Sequence, residues 1–242
     1  FLLLKSVIIM TEIFEIPFCV YMKISFPHSF VSKKTRTMEK VILKCDDYSI
    51  LEVGLERLYD IASFIVNENY KHHATGSIPH NINDEIDNIY DDEVIYSPNA
   101  LYYVVIDKGG KMIGSIRTFK WNKFIKTPME KIFNISPLEK VKNSSASSFW
   151  HIGRFAINSK AGFSTIKLFK QLMILAITPI VNDNESYMFA ETDSHLLRVM
   201  NSLGIETIQL GKSETYLASE TIPICSSRKG LLPFYSTYHN LQ

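Results

Sequence analysis

Residues 149–157 read FWHIGRFAI, a strand-like run of apolar and aromatic side chains broken by one permanent cation, Arg154. A guanidinium cannot shed its charge, and taking it out of water unpaired costs several kcal/mol. Such a residue either reaches solvent or has a carboxylate waiting for it. Two titratable side chains suit proton transfer. His151, three residues earlier, carries an imidazole, a group that in its free form ionises near neutrality, and Glu191, in the apolar run YMFAET, is a carboxylate, a group that proteins can tune for the same task. A histidine on a strand is more often a satisfied structural residue, so both stand as candidates for a general base. A second cation, Arg117, lies in MIGSIRTFKW, and the segment NINDEIDNIYDDE supplies carboxylates upstream of it. A buried arginine–carboxylate network orienting a ligand's polar head would account for both arginines. So would a salt bridge that only tethers the acidic segment.

The elements that must position these residues follow from hydrophobic periodicity. From Ser49, Leu51, Leu55, Leu58, Ile61, Ala62 and Ile65 recur at intervals of three and four, which predicts a helix. The acidic segment reads as a loop or short helix. ALYYVVID, KGGK and MIGSIRTFKW form strand, tight turn and antiparallel strand. After an irregular stretch with Pro128 and Pro137 comes the strand carrying Arg154. It is followed by the glycine-containing turn NSKAGFS and the apolar helix TIKLFKQLMILAITPIV. YMFAET reads as a strand, SHLLRVMNSLG as a helix stopped at Gly204, and the carboxy-terminal region as one or two further strands. The order predicts an α/β (α+β) fold, a mixed sheet flanked by helices. Chemistry is expected at the central strand–turn–helix, because a helix amino terminus exposes unpaired N–H groups.

With 26 basic against 25 acidic residues in 242, the chain has no bulk field to attract nucleic acid. Cys19, Cys45 and Cys225 are scattered, without zinc spacing or a disulfide framework, and read as reduced thiols of a cytoplasmic protein. His72, His73 and His80 have no Cys or His cluster to complete a metal site, so no metal is expected. The apolar amino terminus is interrupted by Lys5, Glu12, Glu15, Pro17 and Lys23 before it reaches a membrane span's length, so no stable span is expected. Residues 1–37 read as an extension of doubtful structure, with Met38 opening the folded unit, 38–242.

Three stretches in this order resemble the GNAT acyltransferase superfamily, and within it the acyl-homoserine-lactone (autoinducer) synthases and N-acyl amino acid synthases. GSIRTF at 114–119 is similar to their Gly-x-x-Arg strand, with Arg117 in the arginine position. HIGRFAI at 151–157 is similar to their Glu-x-Ser-Arg-Phe strand, with Arg154 and Phe155 matching. DEIDNIYDD at 84–92 is similar to their acidic segment, with Asp87 and Asp91 in acidic positions. The likeness spans Met38 to Ile224. It departs at His151, where lactone synthases carry glutamate, and it lacks their early arginine-and-tryptophan segment.

The resemblance implies a GNAT-like, mostly antiparallel sheet and transfer of an acyl group from a thioester to an amine; none of the three cysteines sits in a nucleophile-like setting, so direct attack without a covalent acyl-enzyme is expected. It places Arg117 and Arg154 on neighbouring strands, with Asp87 and Asp91 beside them, as residues that orient the acceptor. It implies that the backbone of Phe155, Ala156 and Ile157 holds the donor's pantetheine arm, with Lys160, Ala161, Gly162 and Phe163 forming the turn beyond. That turn is a degenerate version of the glycine-rich phosphate cradle, which favours acyl carrier protein (acyl-ACP) over acyl-CoA as donor. No cofactor is held permanently. Phe149, Trp150, Phe155 and Phe163 are candidates to line an acyl tunnel, although a plain core is the ordinary use of such residues. The expected activity is N-acylation of an amino acid or similar amine. A lactone synthase using S-adenosylmethionine and a non-catalytic acyl-carrier or lipid-binding module stand as alternatives.

Overall fold

The computed structural model describes residues 39–73, 81–141, 147–217 and 219–241. The expected extension 1–37 lies outside them, as do Cys19 and His80. The chain opens with β1 (Lys40–Lys44) and β2 (Tyr48–Val53), followed by α1 (Leu58–His73) and α2 (Ile82–Tyr96). β3 (Ala100–Asp107) and β4 (Met112–Lys120) form the expected hairpin, and two short helices, α3 (Pro128–Phe133) and α4 (Pro137–Lys140), occupy the irregular stretch. Then come β5 (Ser148–Ile157), α5 (Thr165–Val181), β6 (Ser186–Thr192) and α6 (Ser194–Ser202). β7 (Ile208–Gln209), β8 (Glu214–Tyr216), β9 (Ser219–Ser227) and α7 (Arg228–Tyr238) complete the chain.

The strands run β1-β2-β3-β4-β5-β6-β9-β7, with β8 on β9, and every pairing is antiparallel except β5 with β6. That one parallel pair needs a crossover, and α5 provides it. Helices α1 and α2 cover one face of the sheet through Leu51, Val53, Tyr102 and Val104. The other face packs Ile50, Tyr103, Val105 and Ile116 against α5 and α7. Burial on both faces explains why β3 is a continuous apolar run rather than an alternating one.

Three expectations change. The helix read from Ser49 begins only at Leu58: Leu51 lies in β2, and Leu55 is exposed in a 3-10 turn that follows Gly54. The acidic segment is a full helix, because Ile82, Ile86, Ile89, Glu93 and Tyr96 recur at four and three. The carboxy terminus carries three strands and an additional helix, α7, started by the Ser227 side chain accepting from the Gly230 N–H.

Two departures from regular pairing shape β5. Ser115 pairs with Ala156 but Arg117 with Gly153, so Ile116 faces two residues, Arg154 and Phe155, in a β-bulge. Arg154 sits at φ 53, a left-handed conformation that costs a side-chain-bearing residue about 1 kcal/mol or more. Its carbonyl oxygen accepts a 2.8 Å hydrogen bond from the buried Ser115 hydroxyl, which holds the bulge in place. On its other edge β5 pairs with β6 only as far as Ile152 opposite Ala190. Beyond that point the two strands part.

Candidate functional site

A cavity of about 500 Å³ lies at this parting, bounded by Ile152 to Phe155 of β5 and Ala190 to Thr192 of β6. A second, of about 660 Å³, adjoins it and runs between Phe155, Ala156 and Ile157 on one side and α5 and α6 on the other. The two share Asn69, Phe155, Asp193 and Leu196.

A chain of buried polar side chains forms one wall. Glu93 of α2 is fully buried, and its Oε1 accepts from Arg117 Nη1 at 2.8 Å and Arg154 Nε at 2.6 Å. Its Oε2 accepts from the Tyr102 hydroxyl at 2.9 Å. Burial alone would raise the Glu93 carboxyl. The Arg117 and then the Arg154 guanidinium outweigh it and hold this group below the usual carboxylate range. Burial opposes the charge on Arg154 as well, but Glu93 and the Tyr216 hydroxyl hold the guanidinium in its charged form. Burial, then the Glu93 charge, pushes the Tyr102 phenol upward.

Arg117 continues the chain on its other side. Its Nη2 lies 2.6 Å from His151 Nδ1, and the guanidinium rests 4.7 Å from the Phe119 ring centroid. Tyr102, Arg117 and Gly153 stand opposite one another across three strands. A Cβ on Gly153 would meet Arg117 Nη2 at 2.8 Å, so glycine leaves the space through which the guanidinium reaches His151. His151 stacks on Phe119 with centroids 5.2 Å apart. Its Nε2 lies 2.9 and 3.1 Å from the two carboxylate oxygens of Glu191, which line the cavity.

Hydrogen-bonding capacity fixes the state of His151. Arginine has no acceptor, so Nδ1 must be bare and the proton sits on Nε2, donated to Glu191. Burial is the largest influence on this imidazole and pushes its pKa down. Glu191 pulls it back up, Arg117 and Arg154 push it down again, and the balance is a lowered value. The unfolded chain therefore takes up a proton, below about pH 6.5, that the folded chain refuses, and stability falls as pH drops. We expect a slope of up to about 1.4 kcal/mol per pH unit from this residue below that point. Urea denaturation at stepped pH values checks it: a His151→Gln protein should show a shallower slope, and an unchanged one would refute the assignment.

Placement of the other expected residues is mixed. The structure joins Arg117, Arg154, His151 and Glu191 in one connected chain. Asp87 and Asp91 are a correction: both are exposed, and the carboxylate bonded to the arginines is Glu93. A helix turns about 100° per residue, which puts Asp87 about 120° and Asp91 about 160° around α2 from Glu93. Trp150 is a second correction. It lies outside both cavities, and its indole N–H donates to Asp183 at 3.0 Å, because strand alternation sends it to the face opposite His151.

Phe149 packs in a core with Trp121 and Phe189, and Phe163 packs edge-on against Tyr48, so of the four aromatics only Phe155 lines the cavities. Ala156 and Ile157 line the second cavity as well. In the turn, Lys160 and Ala161 border a separate groove, while Gly162 adopts φ 80. Sequence reasoning missed Glu93, Tyr102, Gly153 and Tyr216. The signal for Glu93 was its place in the apolar series of α2.

No family model matches the sequence, and no curated protein sequence is significantly similar to it. Solved structures share the fold. The AHL synthase LasI aligns with a TM-score of 0.52 at 15% identity, over 75% of this chain and 89% of that one. FeeM, an N-acyl amino acid synthase from uncultured soil microbes, gives 0.51 at 14%, over 74% and 89%. TofI, solved in a ternary complex with an inhibitor and MTA, gives 0.51 at 12%, over 77% and 95%. The mixed, mostly antiparallel sheet flanked by helices is GNAT-like, as the strand motifs implied.

Proposed function

We propose that this GNAT-fold chain transfers a fatty acyl group from a thioester to the amine of an amino acid or similar small molecule. One observation carries the reading: a carboxylate, Glu191, lines a cavity where β5 leaves β6 and its own backbone edge becomes free. The free edge at Phe155 to Ile157 offers N–H and C=O groups to the amides of a pantetheine arm. The acceptor's nitrogen bonds to the thioester carbonyl carbon and the C–S bond breaks. Glu191 receives the proton that nitrogen sheds, and the sulfur leaves as a thiolate that is protonated to the thiol. Arg154, at the bulge, brings a cation to the same cavity for the acceptor's anionic group.

The turn after β5 supports a carrier-protein thioester as donor. The Lys160 and Ala161 N–H groups of that turn already donate to Asn158, so few are left free, which suits one phosphate better than a pyrophosphate. Incubation with acyl-ACP or acyl-CoA and pools of amino acids, followed by thiol release and mass spectrometry, tests the proposal. Thiol release coupled to an N-acyl amino acid is expected. Lactone formed from S-adenosylmethionine, or binding without thiol release, would overturn it.

A further inference from the structure

We infer that His151 is a positioning residue: it presents Glu191 to the cavity as a proton acceptor, and Arg117 holds it in that role by occupying Nδ1. The inference rests on the acyl-transfer reading only in giving the proton affinity of Glu191 a use. At 2.6 Å from Arg117 Nη2, a proton on Nδ1 would set donor against donor and cation against cation. Arg117 cannot retreat. It is 1% exposed, its Nη1 is bonded to Glu93, and its guanidinium fills the gap above Gly153 beside the Phe119 and Tyr96 rings.

Other charges facing the ring do not relax this constraint. Arg154 is a second cation on β5, while Glu93 on α2 is already engaged by both arginines and Tyr102. Glu191, on β6, is the one carboxylate among the described residues that is bonded to the ring itself. It therefore receives a hydrogen bond from a neutral imidazole rather than an ion pair from an imidazolium. An imidazolium there would stabilise the carboxylate as an anion and weaken it as a base. The neutral ring fixes the direction of the carboxylate without adding a cation beside it.

Nitrogen NMR of isotope-labelled protein reads the ring directly, with the His151 signals identified by their loss in His151→Gln. The neutral tautomer protonated at Nε2 should persist well below the pH at which a free imidazole ionises. In Arg117→Met, the ring should titrate at least about one pH unit higher than in the native protein. An imidazolium or a proton on Nδ1 at neutral pH in the native protein would overturn the inference, and this measurement stands even if Arg117→Met does not fold. In turnover, His151→Phe keeps the stack on Phe119 but has no donor for Glu191, so kcat should fall about tenfold or more with a displaced acid limb. His151→Gln retains a donor and should recover most of that loss; equal losses in the two folded variants would count against positioning. NMR needs no substrate, so an absence of any turnover would count against acyl transfer alone.

Discussion

Replacing Glu93 by glutamine should cost about 3–5 kcal/mol of stability, because it leaves two buried guanidiniums without their shared counter-charge. Glutamine matches the shape of glutamate but has one acceptor oxygen in place of two, so the loss reports the charge and its hydrogen bonds to the arginines rather than the packing. Against the 5–15 kcal/mol typical of a folded domain, about a fifth or more of the total is at stake. Asp87→Asn and Asp91→Asn, on the exposed side of α2, should change stability by no more than about 0.5 kcal/mol. Urea denaturation of the three variants at neutral pH makes the comparison. If Glu93→Gln were as mild as the other two, the two arginines would not depend on this carboxylate.

Glu191→Gln should abolish turnover while sparing the fold. The amide oxygen can still accept from His151 Nε2, and the native side chain is 10% exposed at the cavity wall, so the stability change should stay within about 1 kcal/mol. An amide takes up no proton at working pH, however, and removal of a general base costs about 10²–10⁴ in kcat. Thiol-release rates and thermal unfolding, measured on one preparation, separate the two effects. Turnover within about twofold of native would remove Glu191 from the mechanism.

These two residues were unequally visible beforehand, and the difference has a physical cause. β3, β4, β5, α5 and β6 each stand out as an apolar stretch bounded by polar or turn residues, so they declared themselves. β2 did not, because Leu51, Leu55 and Leu58 happen to continue the spacing of α1 backwards across a strand, a glycine and a 3-10 turn. Arg154 announced that it needed a carboxylate, but not which one. On a helix as acidic as α2, the choice depends on rotation about the axis, and only Glu93 shares the buried stripe with Ile86, Ile89 and Tyr96. α7 was hidden for another reason: Gly230 and Pro233 interrupt its pattern, and burial of Leu231 and Phe234 supplies what propensity does not. Most of the polar chain depends on such long-range placement, with Arg117, His151 and Glu191 on three different strands.

The bulge at Arg154 also sets a rule of parity. Along an unbroken strand, residues three apart point to opposite faces, so His151 and Arg154 would sit on two sides of the sheet and no single chamber would hold both. One extra residue in left-handed conformation makes odd spacing behave as even, and the two meet at one cavity. The spacing His-x-x-Arg is thus meaningful only together with the kink inside it. A chain that lost the kink would need its arginine moved by one position to keep the same company, and a chain that kept the letters but straightened the strand would carry the motif without the chamber.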